Sequence, residues 1–313
     1  MTRLIVNRVL FAIPVLLLMS IITYFLVSLI PGDAATVVLG EDATPERIAA
    51  LNAQLNLDKP FYVQWWYWLT GAVHGDLGTS LYTGEDVSRV ITQRVWPTVY
   101  VAGLATIAAT VIGVVLGTWA AVKRGVWAKI VDVVAMCGIS LPNFWIALLL
   151  VVLIAGRLEL LPPLGYVPPQ EDTSEFIRHI ILPVSALAVA GIAIIAKQTR
   201  DSMAQALSRD FMKFMQANGI STRSLIFRHG LRHAAVAILT AMVACFVNLF
   251  GGTVALEAIF ALPGLGSLVV ITTTQHDLVT IQGAVLAYTV VVLAATLFGD
   301  IAHALLNPKA RTQ

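Results

Sequence analysis

Long apolar intervals without a charged residue are the feature that most constrains this fold. Each contains 18 to 28 residues, and about 20 helical residues are needed to cross a hydrocarbon core about 30 Å thick. A charged side chain at the bilayer centre costs about 2.5 to 3.5 kcal/mol on insertion scales, so these intervals predict membrane spans. They are Val9–Gly32, Val95–Val122, Val133–Gly156, His179–Ala196, His233–Leu256 and Leu278–Gly299.

The composition agrees with a chain that is partly surrounded by lipid. Of its 313 residues, 58% are hydrophobic and 12% are charged, whereas soluble domains average about 25% charged residues. A soluble domain of this length could not bury so much apolar surface. The predicted fold class is therefore all-α and integral to the membrane, with six transmembrane helices and an outer helical segment after the first.

Two further apolar segments are not expected to cross the membrane. Ala258–His276 contains Pro263 and Gly264 and leaves no loop for a turn at either end, so it is predicted to lie at the outer face or to be re-entrant. Phe61–Gly75 is too short to span and carries clustered tryptophans, which favour the membrane interface.

The basic residues predict the orientation of the chain. Fourteen of the 20 Lys and Arg residues fall in one set of loops and six in the other. Because loops rich in Lys and Arg stay in the cytoplasm, both termini are expected inside. The predicted organisation is a first helix (1–32), an outer helical segment (33–94), a five-helix transmembrane core (95–307) that contains the inner loop 197–232, and a cytoplasmic tail (308–313).

The outer segment is predicted to be helical. Thr44 is a plausible N-cap followed by Pro45 at the first helical position, and this helix should run to about Gln54. The tryptophan-rich helix should end near Gly75. Two roles remain open for the segment, a lid that braces the first helix and a docking surface for an external partner.

The inner loop from Lys197 to Arg232 carries the main functional hypothesis. A short amphipathic helix is predicted over Asp210–Ala217, then a break at Gly219, then a second helix from near Thr222. The loop could lie on the anionic inner leaflet, pack on its own bundle, or offer a helix to a groove on a cytoplasmic partner. The candidate contact residues are Phe211, Phe214, Met215, Ala217, Gly219, Ile220, Arg223 and Leu231.

Residues 211–234, FMKFMQANGISTRSLIFRHGLRHA, resemble the ATPase-coupling loop of bacterial ABC importer permeases. Gly219 matches the glycine of that loop, and His229, Leu231 and Arg232 match the ending used by the peptide branch. The resemblance to the oligopeptide/dipeptide/nickel permease family extends over nearly the whole chain. It is carried by IPGDAA (30–35), LNLDKPFYVQWWYWLTGAVHGDLGTSL (55–81), ISLPNFWIALLL (139–150), LEAIFALPGLGSL (256–268) and LLNPKAR (305–311).

This resemblance implies a type I ABC importer transmembrane domain in the bacterial inner membrane. The chain would pair with a homologous second permease subunit, bind one or two cytoplasmic ATPase subunits and receive peptides from an extracytoplasmic binding protein. No Gly-Lys dipeptide occurs in the chain, so a phosphate-binding Walker A loop is absent. ATP and Mg²⁺ are therefore expected on the partner subunits, and the chain is expected to bind no cofactor, to contact no nucleic acid and to catalyse no reaction.

Other residue groups give weaker hypotheses. Glu257, Pro263 and Gly264 are candidates for a gate or for the wall of the path, although Glu257 could instead lie in the water-exposed interface. His229 and His233 have the i, i+4 spacing of metal ligands, but the neighbouring arginines disfavour a cation, so no metal site is predicted. Gly113 and Gly117 predict close helix packing.

Three rival functions are weighed against a peptide importer. Nickel or another small solute is compatible with the same family. A stand-alone secondary transporter is disfavoured by the lack of an internal repeat and of charged residues in mid-membrane. A membrane-embedded enzyme is disfavoured because no nucleophile–base pair or metal cluster converges on one side.

Overall fold

The computed structural model describes residues 2–29, 34–39, 43–54, 58–123 and 125–306. Helices dominate this part of the chain, and its one β-bridge joins Thr79 and Asp86. The helices are α1 Thr2–Ser28, α2 Ala34–Leu39, α3 Pro45–Gln54, α4 Phe61–Val73, α5 Val87–Lys123, α6 Val126–Ser140, α7 Asn143–Leu150, α8 Thr173–Ser208, α9 Asp210–Ala217, α10 Thr222–Ser224, α11 Leu231–Ile259, α12 Leu265–Thr274 and α13 Leu278–Leu306. Two π-helical segments, Val151–Arg157 and Leu225–Gly230, extend α7 and join α10 to α11.

Five helical stretches in the described residues are long and apolar enough to cross a membrane. They are Ile5–Ser28, Val87–Lys123, Thr173–Ser208, Thr222–Ile259 and Leu278–Leu306. Their positions match five of the six predicted spans. The residues predicted to form the third span are also helical, but they are divided between α6 and α7.

The prediction of one continuous helix over Val133–Gly156 is wrong. Helix α6 ends at Ser140, and α7 begins at Asn143 after an extended Pro142. Proline has no backbone N–H and disfavours helical geometry in the residue before it, so Pro142 interrupts the hydrogen bonds of the helix. Each half is shorter than about 20 residues, so the two would have to cross together.

Each of the five helical stretches extends beyond the charge-free interval that predicted it, and α5 and α8 show why. Helix α5 begins at Val87 and therefore includes Arg89 and Arg94. Helix α8 contains 36 residues, Thr173–Ser208, where the charge-free interval gave only His179–Ala196. Charged residues limit the part of a helix that lies in the membrane but do not end the helix, so α8 continues past the interval on both sides.

The described residues fall into two compact units, and the first contains residues 99–262 and 295–306. Helix α8 is central to it and packs against α6, α7 and α11. A Cβ at Gly191 of α8 would lie 2.8 Å from Cβ of Ala109 and 2.9 Å from Sγ of Cys245. The absence of a side chain at Gly191 thus lets α5, α8 and α11 meet closely.

The predicted packing role of Gly113 and Gly117 is confirmed within this unit. A Cβ at Gly113 would lie 2.9 Å from Cβ of Ile195, and one at Gly117 would lie 2.7 Å from Cβ of Thr199. Both neighbours belong to α8. An ion pair between Arg200 of α8 and Asp132 adds a polar contact between α8 and α6.

The second unit contains residues 2–98 and 263–294. The tryptophan-rich helix α4 packs on the first helix, α1. Trp65 Nε1 donates to Ser20 Oγ at 3.1 Å, and Tyr24 donates from its hydroxyl to Gln64 Oε1 at 3.1 Å. These bonds support the interpretation of the outer segment as a brace on the first helix.

The predicted ends of the outer helices are confirmed. Thr44 Oγ1 accepts from the N–H of Arg47 at 3.4 Å, and α3 covers Pro45–Gln54. After α4, Gly75 has a φ of +86°, which a residue without a Cβ adopts at little cost. Both ends follow from local side-chain chemistry.

A buried carboxylate holds the end of the outer segment to the start of α13 in this unit. Asp277, 1% exposed, accepts from the hydroxyl of Ser80 at 2.5 Å and from that of Thr280 at 2.7 Å. It also accepts from the backbone N–H of Leu81 at 3.3 Å. Several donors therefore satisfy a charge that burial would otherwise disfavour.

Candidate functional site

The inner loop folds into the predicted helix–turn–helix. Helix α9 covers Asp210–Ala217, and the next helix begins at Thr222. Met212 attaches α9 to the first unit, since its side chain is only 2% exposed. We call residues 210–231 the inner hairpin.

Gly219 closes α9 through a Schellman motif. Its N–H donates to the carbonyl of Gln216 at 3.1 Å, and the N–H of Ile220 donates to the carbonyl of Met215 at 3.2 Å. The φ of Gly219 is +84°, in the left-handed region that glycine adopts most readily. The predicted break therefore has a specific conformational cause.

The exposed face of the inner hairpin is aromatic and basic. Phe214 is 71% exposed, Phe227 is 60% exposed and Phe211 is 40% exposed. The guanidinium-bearing residues Arg223 and Arg228 are exposed as well. Large apolar side chains held outward beside positive charges are typical of a surface that binds a partner or a membrane.

The apolar side chains of α9 differ in their exposure. Phe211 and Phe214 are exposed and Met215 is half-buried, while the buried position of this helix is Met212. Among the other candidates, Ala217 and Gly219 are exposed, and Ile220 and Leu231 are half-buried. The structure therefore presents part of the predicted set outward and uses the rest for packing.

The sequence interpretation missed two features of the inner hairpin. Phe227 was not among the candidates, although its exposed ring enlarges the aromatic surface. The π-helical segment Leu225–Gly230 was also missed, and it brings Gly230 against α8, where a Cβ would lie 3.0 Å from Cε of Met203. Gly230 was the available signal, because an isolated glycine inside a helical pattern can mark a close packing contact.

A cavity of about 270 Å³ lies beside α9 within the first unit. Its lining includes Met212 and Gln216 of α9, Leu207 of α8, Val122 of α5, and Leu225 and Ile226. Helix α9 is thus anchored by one buried methionine and is not packed tightly along its whole length. Space of this kind permits a small displacement of the helix.

The candidate gate residues belong to two different units. Glu257 lies in the first unit and is 1% exposed, so the alternative that it lies in a water-exposed interface is wrong. Its backbone carbonyl accepts from the N–H of Leu262 at 2.8 Å. Pro263 and Gly264 belong to the second unit, where the N–H of Gly264 donates to Ser267 Oγ at 3.1 Å at the start of α12. A gating role for these residues remains a prediction.

The helices and the inner hairpin define a class, a multi-pass helical membrane protein with an exposed amphipathic hairpin between two of its long apolar helices. Comparison of the sequence with known protein families identifies the family. The pattern of the family described as "Binding-protein-dependent transport system inner membrane component" matches residues 113–312. The pattern of the family's N-terminal segment matches residues 1–102. The chain belongs to this family and is a type I ABC importer membrane domain.

Individual relatives match almost from end to end. The chain is 37% identical over 312 residues to a peptide transport system permease protein of Brucella abortus. It is 34% identical over 312 residues to the glutathione transport system permease protein of Salmonella choleraesuis. Each alignment covers 99% of this chain and 99% of the relative.

Proposed function

We propose that this chain is the transmembrane permease subunit of an ATP-driven importer of peptides. It forms half of a translocation path with a homologous second permease subunit, and an extracytoplasmic binding protein delivers the substrate. The names of the relatives, a peptide and a glutathione transport system permease, support peptides as the substrate class. Both termini lie in the cytoplasm, as the distribution of Lys and Arg indicates.

The observation that carries this proposal is the exposed inner hairpin. Phe214 and Phe227 are more than half exposed, and burial of apolar surface contributes about 25 cal/mol per Å². A groove on a cytoplasmic ATPase subunit covers these rings, and acidic residues around it meet Arg223 and Arg228. ATP and Mg²⁺ are bound by that partner subunit and not by this chain.

The inner hairpin couples ATP binding on the ATPase subunits to a conformational change in this chain. ATP changes the distance between two ATPase subunits, and each hairpin follows the groove that holds it. ATP can shift this chain between two conformations only if the contacts between hairpin and groove differ in free energy between those conformations. The cavity beside α9 gives this helix room to move against α8 and α5.

The proposal is tested by replacing Gly219 with valine. A β-branched residue at a φ of +84° is strained by about 1 to 2 kcal/mol, so the turn should deform. We expect ATP-dependent uptake of a labelled tripeptide into proteoliposomes to fall by about tenfold, the equivalent of about 1.4 kcal/mol. Capture of the ATPase subunits by the purified permease should fall in parallel.

Gly75→Val is the matched control. Gly75 has a φ of +86° and open space around its Cβ position, as Gly219 has, but it lies in the outer segment. It should carry the same local strain and still capture the ATPase subunits. If Gly219→Val imports peptide and binds ATPase as the unmodified chain does, the inner hairpin is not the coupling site.

A further inference from the structure

Helix α11 exposes a face that differs from the exposed face of α5 in the first unit. Its exposed positions between Ala234 and Ile259 recur at intervals of three or four residues, which places them on one side of the helix. All of them are small or polar. They are Thr240, Ala244, Asn248, Gly251, Ala255 and Ala258.

Helix α5 shows what a lipid-facing surface looks like in this unit. Between Leu104 and Val122 its exposed side chains are large and apolar, with Ile107 59% exposed, Val111 60% exposed and Val115 63% exposed. No large apolar side chain is exposed along α11, all of which is described. The exposed face of α11 is therefore unsuited to contact with acyl chains.

Asn248 is the polar centre of this face. It lies sixteen residues after Arg232 and nine before Glu257, or about 24 Å and about 14 Å along a helix axis. Its Nδ2 donates to the carbonyl of Ala244 at 3.2 Å, and a carboxamide has a further donor hydrogen and an acceptor oxygen. An exposed carboxamide at this depth would be costly against lipid, so it requires water or a polar ligand.

A second element brings polar groups to the same region. Asn143 begins α7, and its Nδ2 would lie 3.3 Å from a Cβ at Gly252. Gly252 is one helical turn from Asn248, so the two asparagines lie on neighbouring parts of one surface. The break between α6 and α7 is here too, and its residues Ser140, Leu141 and Pro142 are exposed.

Interrupted backbone within a membrane is tolerated where it is buried in protein or lines a water-filled cavity. The exposed break between α6 and α7 and the exposed carboxamide of Asn248 therefore call for the same surroundings. They come from separate parts of the chain and from different chemical groups. Together they indicate a hydrated wall rather than a lipid-facing one.

We infer that the exposed face of α11 lines the translocation path and that Asn248 is its specificity-determining contact with the substrate. This inference rests on the proposed importer function and assigns one surface of the chain to substrate contact. The Asn248 carboxamide donates to and accepts from the amide groups of a passing peptide backbone. The six exposed positions carry no ionisable side chain, and the nearest one that contacts them is His303 of α13, which hydrogen-bonds to Thr240 at 2.9 Å. The part of the face around Asn248 therefore favours neutral amide groups.

Thiol accessibility tests the inference without a transport assay. Asn248→Cys and Ala255→Cys are made separately in a chain whose Cys137 and Cys245 are replaced by alanine. Each is assembled with its partner subunits in membranes and treated with a positively charged, membrane-impermeant methanethiosulfonate. Ile107→Cys on the lipid-facing side of α5 is the matched control.

We expect both α11 thiols to react on the order of tenfold or more faster than the control. A charged reagent needs water, and so does the reactive thiolate. A tripeptide substrate held in the assembled importer should slow the reaction at Asn248→Cys. Equal, slow labelling at all three positions in the nucleotide-free and ATP-trapped states would overturn the inference.

Two further measurements separate the alternatives. Disulfide cross-linking of Ala255→Cys to the second permease subunit, without reagent access, would assign the face to a subunit interface and overturn the inference. Asn248→Leu should reduce peptide import while ATPase capture is retained. If the α11 thiols react fast in an assembly that imports no peptide, the face of α11 is in contact with water but peptides are not the substrate.

Discussion

Individual glycines set the distances between helices in the first unit. At Gly117 of α5, a Cβ would collide with the backbone oxygen of Ala196 and lie 2.7 Å from Cβ of Thr199. Neither neighbour is the flexible end of a side chain, so the backbone itself would have to shift. In the same helix, a Cβ at Gly103 would meet nothing within 4 Å.

Gly117→Ala should therefore destabilise the protein by about 1 to 3 kcal/mol, the usual cost of overpacking. Gly103→Ala should stabilise it by about 0.5 to 1 kcal/mol, since alanine favours a helix interior over glycine. The midpoints of thermal unfolding in detergent micelles provide the comparison. Equal midpoints for the two variants would show that α5 does not approach α8 as described.

Element ends are fixed by hydrogen bonds that join distant parts of the chain. Asp277 at the start of α13 accepts from Ser80, which is 197 positions away, and both side chains are buried. A bond from a neutral donor to a buried charge contributes about 1.5 to 3 kcal/mol. This contact holds the turn around Ser80 in the second unit.

A double-mutant cycle with Ser80→Ala and Asp277→Asn should reveal a coupling of about 1.5 to 3 kcal/mol in thermal stability. Each single variant should also increase proteolytic cleavage near Tyr82, which is exposed in this turn. Asp76→Asn is the control, because its partner is the exposed N–H of Gly78. Additive single effects would mean that the two buried side chains do not interact.

At the scale of the whole molecule, the helix broken into α6 and α7 decides whether the chain crosses the membrane an odd or an even number of times. Five long helices alone would place the termini on opposite sides of the membrane, whereas six crossings place them on the same side. Helix α6 with α7 and its π-helical extension contains about 30 residues, or about 45 Å of helix. That length suffices to cross a core of about 30 Å even with a bend.

Reporter fusions test this parity. A fluorescent protein that matures only in the cytoplasm should be bright when it is attached before Met1 and when it is attached after Gln313. Alkaline phosphatase inserted at Tyr82 should be active, because the distribution of Lys and Arg predicts that this turn lies outside. A dark C-terminal fusion with a bright N-terminal fusion would show that α6 and α7 do not cross the membrane.

The local features could be predicted from sequence because short-range forces decide them. The charge-free intervals located the spans, Thr44 and Gly219 marked helix ends, and the loop around Asp210–Ala217 showed its amphipathic period. Each depends on a few neighbouring residues or on the cost of a charge in lipid. The family resemblance then supplied the interpretation of the inner loop.

Tertiary structure alone decided which side chains face outward. The sequence could not distinguish Met212 from Phe214, since both lie on one amphipathic helix, yet one is buried and the other is 71% exposed. It placed Glu257 at a possible wet interface, and packing buried it. Exposure depends on contacts between residues far apart in the chain. A hydropathy pattern does not distinguish a residue that faces lipid from one that faces the protein interior or the translocation path. The sequence does not show that the carboxamide of Asn248 is exposed, because its exposure depends on how the neighbouring helices pack against α11.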